Sequence, residues 1–206
     1  MSQFFQIHPE NPQSRLIAQA VAVFQKGGVI IYPTDSCYAL GCHIGDKAAA
    51  DKIRRIRRLD EKHDFTLMCR DLSEIGLYAK LDNQAFRLIR SVTPGPYTFI
   101  LEATKELPRR LLTPKRKTIG VRIADDPIVR DLLNVLNEPI ISTTLMLPGD
   151  EYPLIDPYEM RDVLGNQVDL IIDGGYRGME LTTVVDMTGD TPVLVRAGLG
   201  DPAVID

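Results

Sequence analysis

The sequence holds no tryptophan, three cysteines and three histidines in 206 residues. Cys37, Cys42 and Cys69 form no CxxC pair, so neither a disulfide framework nor a structural zinc site is expected, and a reducing, cytoplasmic setting fits. No apolar run approaches the roughly 20 residues of a membrane span. The opening Met1-Ser2-Gln3-Phe4-Phe5-Gln6 lacks the basic head and apolar body of a signal peptide. The motifs of covalent catalysis are missing too. There is no GxSxG, and His8, His43 and His63 stand at no recognised spacing from a serine or cysteine. HExxH, the EF-hand loop, GxxxxGK[ST] and GxGxxG are all absent. His43 beside Cys42 reads as a weak metal pair or as a surface histidine next to a packed thiol; the second reading is preferred, and no metal ligands are assigned.

What is present is an ordinary globular composition, 44% hydrophobic and 25% charged, with a net charge of −4. The length suffices for a sizeable core without staples, and one domain is expected over residues 10–200. The charge is unevenly spread. Lys47–Arg70 carries eight Lys or Arg against four acids, and Lys105–Arg122 carries seven against one, whereas Met146–Asp206 carries three against twelve. This division suggests a local anion site on an otherwise acidic protein; solvated helix faces would explain the cations equally well.

The periodicity alternates between helix and strand. Leu16, Ile17, Ala20, Val21 and Phe24 stripe a helix over Asn11–Gln25, stopped by Gly27-Gly28. Val29–Tyr32 reads as a buried strand ended by Pro33. A helix over Asp46–Leu59 turns a basic face outward. A strand at Phe65–Cys69 precedes helices at Leu72–Lys80, opened by Asp71 or Ser73, and at Asn83–Val92. Strands follow at Tyr97–Ala103, Ile119–Ile123 and Ile140–Thr143, with a helix at Asp126–Asn137 and short helices at Leu107–Leu112 and Tyr158–Leu164. Val168–Ile172 is another apolar strand. Thr183–Met187 and Val193–Arg196 flank Thr188-Gly189-Asp190-Thr191-Pro192 as a hairpin. The expected fold is α/β (α+β): a single twisted, open, mixed sheet with helices packed on it.

Hydroxyls, cations and glycines gather at the strand ends, where open α/β sheets hold ligands. Tyr32–Cys42 follows one strand, Gly120-Val121-Arg122 belongs to a second, and Ser142-Thr143-Thr144 ends a third. Arginine with hydroxyls suits phosphate or carboxylate. Such a site fits transfer at an anionic centre, driven by alignment and charge neutralisation without a protein nucleophile. Arg122, flanked by apolar residues in a strand, needs a partner when buried: an anionic ligand or a structural Asp. Tyr38 either stacks on a ligand or fills core. Arg196 reaches a phosphate or pairs with a C-terminal acid. Arg109, Arg110, Lys115, Arg116 and Lys117 form an exposed loop, either without a role or rimming an RNA surface.

Several ordered segments resemble a known family. Tyr32-Pro33-Thr34-Asp35-Ser36-Cys37-Tyr38-Ala39-Leu40-Gly41 resembles the YPT-[DE]-T-x-Y-G-L-G opening of the YrdC-like domain, the threonylcarbamoyl-AMP synthase family. Arg57-Arg58 with Lys62 sits where that family has a K-x-R…K cluster. Pro94-Gly95-Pro96-Tyr97-Thr98 resembles its PGP-x-T stretch, Gly120-Val121-Arg122 with Pro127 its GVR-x-P-x-x-P, and Thr182-Thr183-Val184-Val185-Asp186 with Arg196-Ala197-Gly198 its STVVD and RPG. The likeness is to the YciO branch, which consists of the domain alone. It implies a concave, basic surface and a nucleotidyltransferase reaction: ATP, L-threonine and bicarbonate give threonylcarbamoyl-AMP and pyrophosphate for the t6A modification of tRNA. ATP enters as substrate with Mg²⁺, and L-threonine or a related small acid is the second ligand.

The resemblance assigns catalysis to Arg57, Arg58 and Lys62, with the register leaving either arginine as the match. It assigns the small substrate to Thr34, Ser36, Tyr38 and Thr182, and the nucleotide to Arg122, Ser142, Thr144 and Arg196. One departure stands out. Where the family reads S-x-S-A-N-x-S-G, this chain has Ser142-Thr143-Thr144-Leu145-Met146-Leu147-Pro148-Gly149, so a thioether replaces a side-chain amide. The alternative reading is a non-catalytic module that holds double-stranded RNA or tRNA on the basic concave face through backbone phosphates.

Overall fold

The computed structural model describes residues 1–60, 65–112, 115 and 117–205. Within them, helices α1 (Ser14–Gln25), α2 (Lys47–Arg57), α3 (Leu72–Tyr78), α4 (Asn83–Val92), α5 (Pro127–Leu136) and α6 (Pro157–Leu164) pack on one ten-stranded sheet. Its strands are β1 (Gln3–Gln6), β2 (Ile30–Tyr32), β3 (Ala39–His43), β4 (Thr66–Met68), β5 (Tyr97–Glu102), β6 (Thr118–Arg122), β7 (Ile140–Thr144), β8 (Leu170–Asp173), β9 (Thr183–Asp186) and β10 (Val193–Arg196). Their spatial order is β1-β8-β2-β3-β7-β4-β6-β5-β9-β10. Pairs β1–β8, β2–β8, β4–β6 and β5–β9 are parallel and the rest antiparallel, so the sheet is mixed.

Helix starts follow from side-chain chemistry. Asp46, Asp71, Asp82, Asp126 and Asp156 each accept a backbone N–H two or three residues on, opening α2 to α6. Each cap is worth about 1 kcal/mol and answers donors the first turn leaves unpaired. In α5 and α6 proline follows the cap, where its missing N–H costs nothing. The expected helix at Leu107–Leu112 is only a single 3₁₀ turn, Arg109–Leu111.

Two strands escape the periodicity analysis. β3 reads Ala-Leu-Gly-Cys-His, with no alternation, and is buried on both faces. At Gly41 a side chain would meet the Tyr32 ring and Ile140 at 2.7 Å each, so glycine there admits close approach. β1 is a four-residue edge strand that pairs with β8 alone.

The two faces of the sheet are covered unequally. Against one face α1 and α5 bury Ile17, Phe24, Ile128 and Leu132 on Ile30, Tyr32, Ile140 and Leu170. Against the other, Ile53 and Ile56 of α2 with Ile75, Ile89, Met160 and Leu164 pack on Leu40, Leu67, Phe99, Val121 and Ile141. Beyond Met68, strands β6, β5 and β9 contribute nothing to the α1–α5 core. That half of the face is left open, and the site lies there. Among the described residues no helix is long and apolar enough to cross a membrane.

Candidate functional site

Strand register builds the floor of the open face. Ser142, Thr66, Gly120 and Ile100 are mutual neighbours on β7, β4, β6 and β5. Because side chains alternate, their neighbours Ile141, Leu67, Val121 and Leu101 point into the opposite core. Gly120 keeps the row shallow: a side chain there would press on Thr66 Oγ1 at 3.2 Å and Thr98 Cγ2 at 3.3 Å. The hollow above has a volume of about 260 Å³.

Three guanidiniums enter it from different elements: Arg57 from the end of α2, Arg122 from the end of β6 and Arg196 from β10. Six Ser or Thr hydroxyls line it with them, from Thr66, Thr98, Ser142, Thr143, Thr144 and Thr182, and among the described residues no carboxylate does. Tyr38 and Met146 complete one wall.

Each guanidinium is held in place. Arg57 Nη1 donates to Thr143 Oγ1 at 2.7 Å. Arg122 Nη2 donates to Ser36 Oγ at 2.9 Å and to Thr34 Oγ1 at 3.2 Å, and pairs with the Asp35 carboxylate. Asp35 is itself fixed by the Asp125 N–H at 2.9 Å. Arg196 donates from Nε and Nη2 to the Thr182 carbonyl at 3.2 and 2.9 Å, and Thr182 Oγ1 meets Thr98 Oγ1 at 2.8 Å. The buried Nε atoms of Arg57 and Arg122 find no partner among the described residues. Buried donors without partners are rare, which sets these two atoms apart. Burial also pulls the Arg57 and Arg196 pKa values down from the usual arginine range, the opposite of what a bound anion would do.

The hydroxyl wall has its own supports. Tyr32 OH meets Ser142 Oγ at 2.6 Å, and burial drives the Tyr32 pKa far up, so it stays a neutral phenol. Tyr38 OH donates to the Gly175 carbonyl at 2.7 Å and accepts from the Gly174 N–H at 3.1 Å. Its pKa is pushed up to about 12, chiefly by burial. Of the two readings of Tyr38 the structure has the core one: it is fully buried beneath the sheet, and it also lines the cavity. Cys37 also lines it, with its thiol pKa raised by burial while Ser36 and Arg122 work against that rise.

The assigned residues divide. Arg57, Tyr38, Arg122, Ser142, Thr144, Thr182 and Arg196 come together at the cavity. Thr34 and Ser36 do not line it; they stand behind Arg122 and orient it. Arg58 is exposed and lines no part of it. The cause is local: Arg58 caps α2 in the left-handed conformation, φ 50°, so the chain reverses there and Arg57 is the residue left facing the sheet. Lys62 and Arg116 lie outside the described residues. Arg109, Arg110 and Lys117 do not line the cavity either; they line a separate groove beside α2. Of the two partners open to Arg122 the structure has the structural acid, Asp35, and Arg196 pairs with backbone and hydroxyl oxygens instead of a C-terminal acid.

Sequence reasoning missed Cys37, Thr66, Thr98 and Thr143 as lining residues. The two threonines on β4 and β5 had a usable signal: a hydroxyl at alternate positions of an otherwise apolar strand. His43 is bonded to Glu138, and Cys37, Cys42 and Cys69 are free thiols. No cluster of three or more His, Cys, Asp or Glu that could hold a metal occurs among the described residues. Lacking a carboxylate among the described residues, this lining does not fit a resident magnesium ion, a hard cation that seeks carboxylate oxygen.

These features belong to a family. The Sua5/YciO/YrdC family model, described as telomere recombination, matches residues 22–198. The chain belongs to that family. It is 63% identical over 201 residues to YciO of Escherichia coli K12, covering 98% of each chain. To the threonylcarbamoyl-AMP synthase of Coxiella burnetii it is 31% identical over 159 residues, 77% of this chain and 84% of the synthase. The crystal structure of E. coli YciO matches with a TM-score of 0.97 at 61% identity over the whole of both chains. That of P. abyssi Sua5 complexed with L-threonine matches with a TM-score of 0.88 at 24% identity, over 96% of this chain and 58% of that one, a likeness of fold.

Proposed function

We propose that the cavity binds ATP and L-threonine and forms threonylcarbamoyl-AMP from them with bicarbonate. The observation that carries this reading is the convergence of three guanidiniums and six hydroxyls on a hollow that, among the described residues, has no carboxylate. Kinship with the Coxiella synthase supports it, as does the fold shared with a Sua5 that was crystallised with L-threonine.

The chemistry asks little covalent work of the protein. The amine of threonine takes up carbon dioxide from bicarbonate to give an N-carboxylate. One oxygen of that carboxylate forms a bond to the α-phosphorus. The α–β anhydride bond breaks, and its electron pair leaves with pyrophosphate. Negative charge accumulates on the phosphoryl oxygens as this happens, and donors fixed beforehand stabilise it without reorganising. Arg57 and Arg122, each with a free buried N–H, are assigned to those oxygens. Ser142, backed by the Tyr32 phenol, and Thr144 orient the nucleotide. Thr182, Thr98 and Tyr38 bound the small acid, and Arg196 closes the site from β10. Mg²⁺ is carried by the phosphates of the nucleotide, as part of the substrate. Among the described residues no histidine lines the cavity, in keeping with a nucleophile supplied by the substrate.

The test is pyrophosphate release with ATP, L-threonine and bicarbonate together. Release that needs all three and is lost in Arg57→Ala is expected; a rate equal in the two proteins overturns the reading.

A further inference from the structure

The second large hollow of the molecule lies apart from the cavity. It is a groove of about 880 Å³ between the outer face of α2 and residues 103–112 with Lys117. Five cations line it, Arg54, Lys105, Arg109, Arg110 and Lys117, with one carboxylate, Asp51. Leu107, part of the floor, belongs to the core beneath α2. The groove therefore opens on the α2 side, whereas the hydroxyl row faces the other way.

Its charge is left unbalanced. Asp51 is taken up by Lys47 Nζ at 2.7 Å, and the Lys47 hydrogen bond keeps its carboxyl below the usual range. Arg54 donates to the Asp60 carbonyl at 3.3 Å and lies 4.6 Å over the Phe65 ring. Arg110 donates to the Ile44 carbonyl at 2.8 Å. Those acceptors are neutral, so both guanidiniums keep their charge while their heads are positioned. Lys105, Arg109 and Lys117 are exposed and have no carboxylate partner among the described residues.

Five gathered cations raise a local potential that one small carboxylate ligand does not answer. A chain of linked phosphates does: guanidinium forks take two oxygens each and ammonium groups act as point charges. Among the described residues no aromatic ring lines the groove, so they offer no aromatic platform for stacking bases. We propose that this groove is a second anion site, which takes successive phosphates of a linked-phosphate ligand and reads no base.

Two sources share that chemistry, a free polyphosphate and a nucleic-acid backbone, and one experiment separates them. Fluorescence anisotropy follows a labelled 12-nucleotide oligo-uridine on the full chain at 50 and 200 mM salt, with inorganic tripolyphosphate and poly-glutamate as competitors. The proteins are wild type, the triple variant Lys105→Ala, Arg109→Ala, Lys117→Ala, and Arg57→Ala. With about three phosphates neutralised, a slope near −0.7 per contact predicts roughly a twentyfold loss over that fourfold rise in salt. The triple variant is expected to bind at least about tenfold more weakly, with Arg57→Ala unchanged. Tripolyphosphate competing in the micromolar range assigns the site to free phosphate chains; competition only in the millimolar range assigns it to a nucleic-acid backbone. Absence of binding at 50 mM salt, an unaffected triple variant, loss through Arg57→Ala, or equal competition by poly-glutamate each overturns the proposal. The three residues are exposed, and an unchanged thermal midpoint shows that the variant is folded. Pyrophosphate release by the triple variant is a separate readout, so failure here leaves the reading of the cavity untouched.

Discussion

The cavity on the open face and the groove beside α2 are both built from arginine, yet they handle charge in opposite ways. In the cavity Arg122 is 9% exposed at its side chain and is gripped by two hydroxyls and a carboxylate. In the groove Lys105, Arg109 and Lys117 stand in solvent with no carboxylate partner among the described residues. Water screens the exposed set, so its attraction is weak per contact, long in reach and sensitive to salt. The buried set acts through a lower dielectric and fixed geometry, which suits catalysis and is costly to disturb. Cations near in composition thus divide into a site that can align a reaction and one that can only gather charge.

The contrast is broken most sharply at Arg122. Arg122→Ala leaves the Asp35 carboxylate buried without its cation, and a loss of about 3–5 kcal/mol in chemical denaturation is expected, together with pyrophosphate release. The double variant Arg122→Ala, Asp35→Ala should recover part of the stability and none of the activity. Next comes the register of the basic cluster: Arg57→Ala should slow pyrophosphate release about 10²–10³-fold, whereas Arg58→Ala, at an exposed cap, should leave it within about twofold. Equal losses would return Arg58 to the site. Met146→Asn then restores an amide to the cavity wall, and calorimetry should show ATP binding about tenfold tighter, the value of one added hydrogen bond. The smallest effect belongs to the groove. Lys105→Ala should shift stability by less than about 0.5 kcal/mol, since nothing in the fold leans on it.

Much of the frame was legible before any fold was in view. The helices announce themselves through Asp caps and apolar stripes, twice reinforced by Asp-Pro, and the β9–β10 hairpin by its Gly-Asp-Thr-Pro turn. β3 was not legible, because a strand buried on both faces has no alternation to detect. The roles of Thr34 and Ser36 were half legible: hydroxyls after a strand point to a site, but they do not say whether they touch the ligand or the arginine that does. The choice between Arg57 and Arg58 turned on one left-handed residue, which no spacing rule reveals for a non-glycine.

Composition and local chemistry determined that this chain forms alternating helices and strands, needs no disulfide, and concentrates positive charge in two stretches of an acidic whole. Both stretches read alike in one dimension. Only the order of strands across the sheet decided that Arg57 reaches the open face with Arg122 and Arg196 while Arg109, Arg110 and Lys117 look out beside α2. The reason is that charge is a property of residues, whereas a site is a property of distances, and those between β6, β10 and the end of α2 are set by long-range pairing.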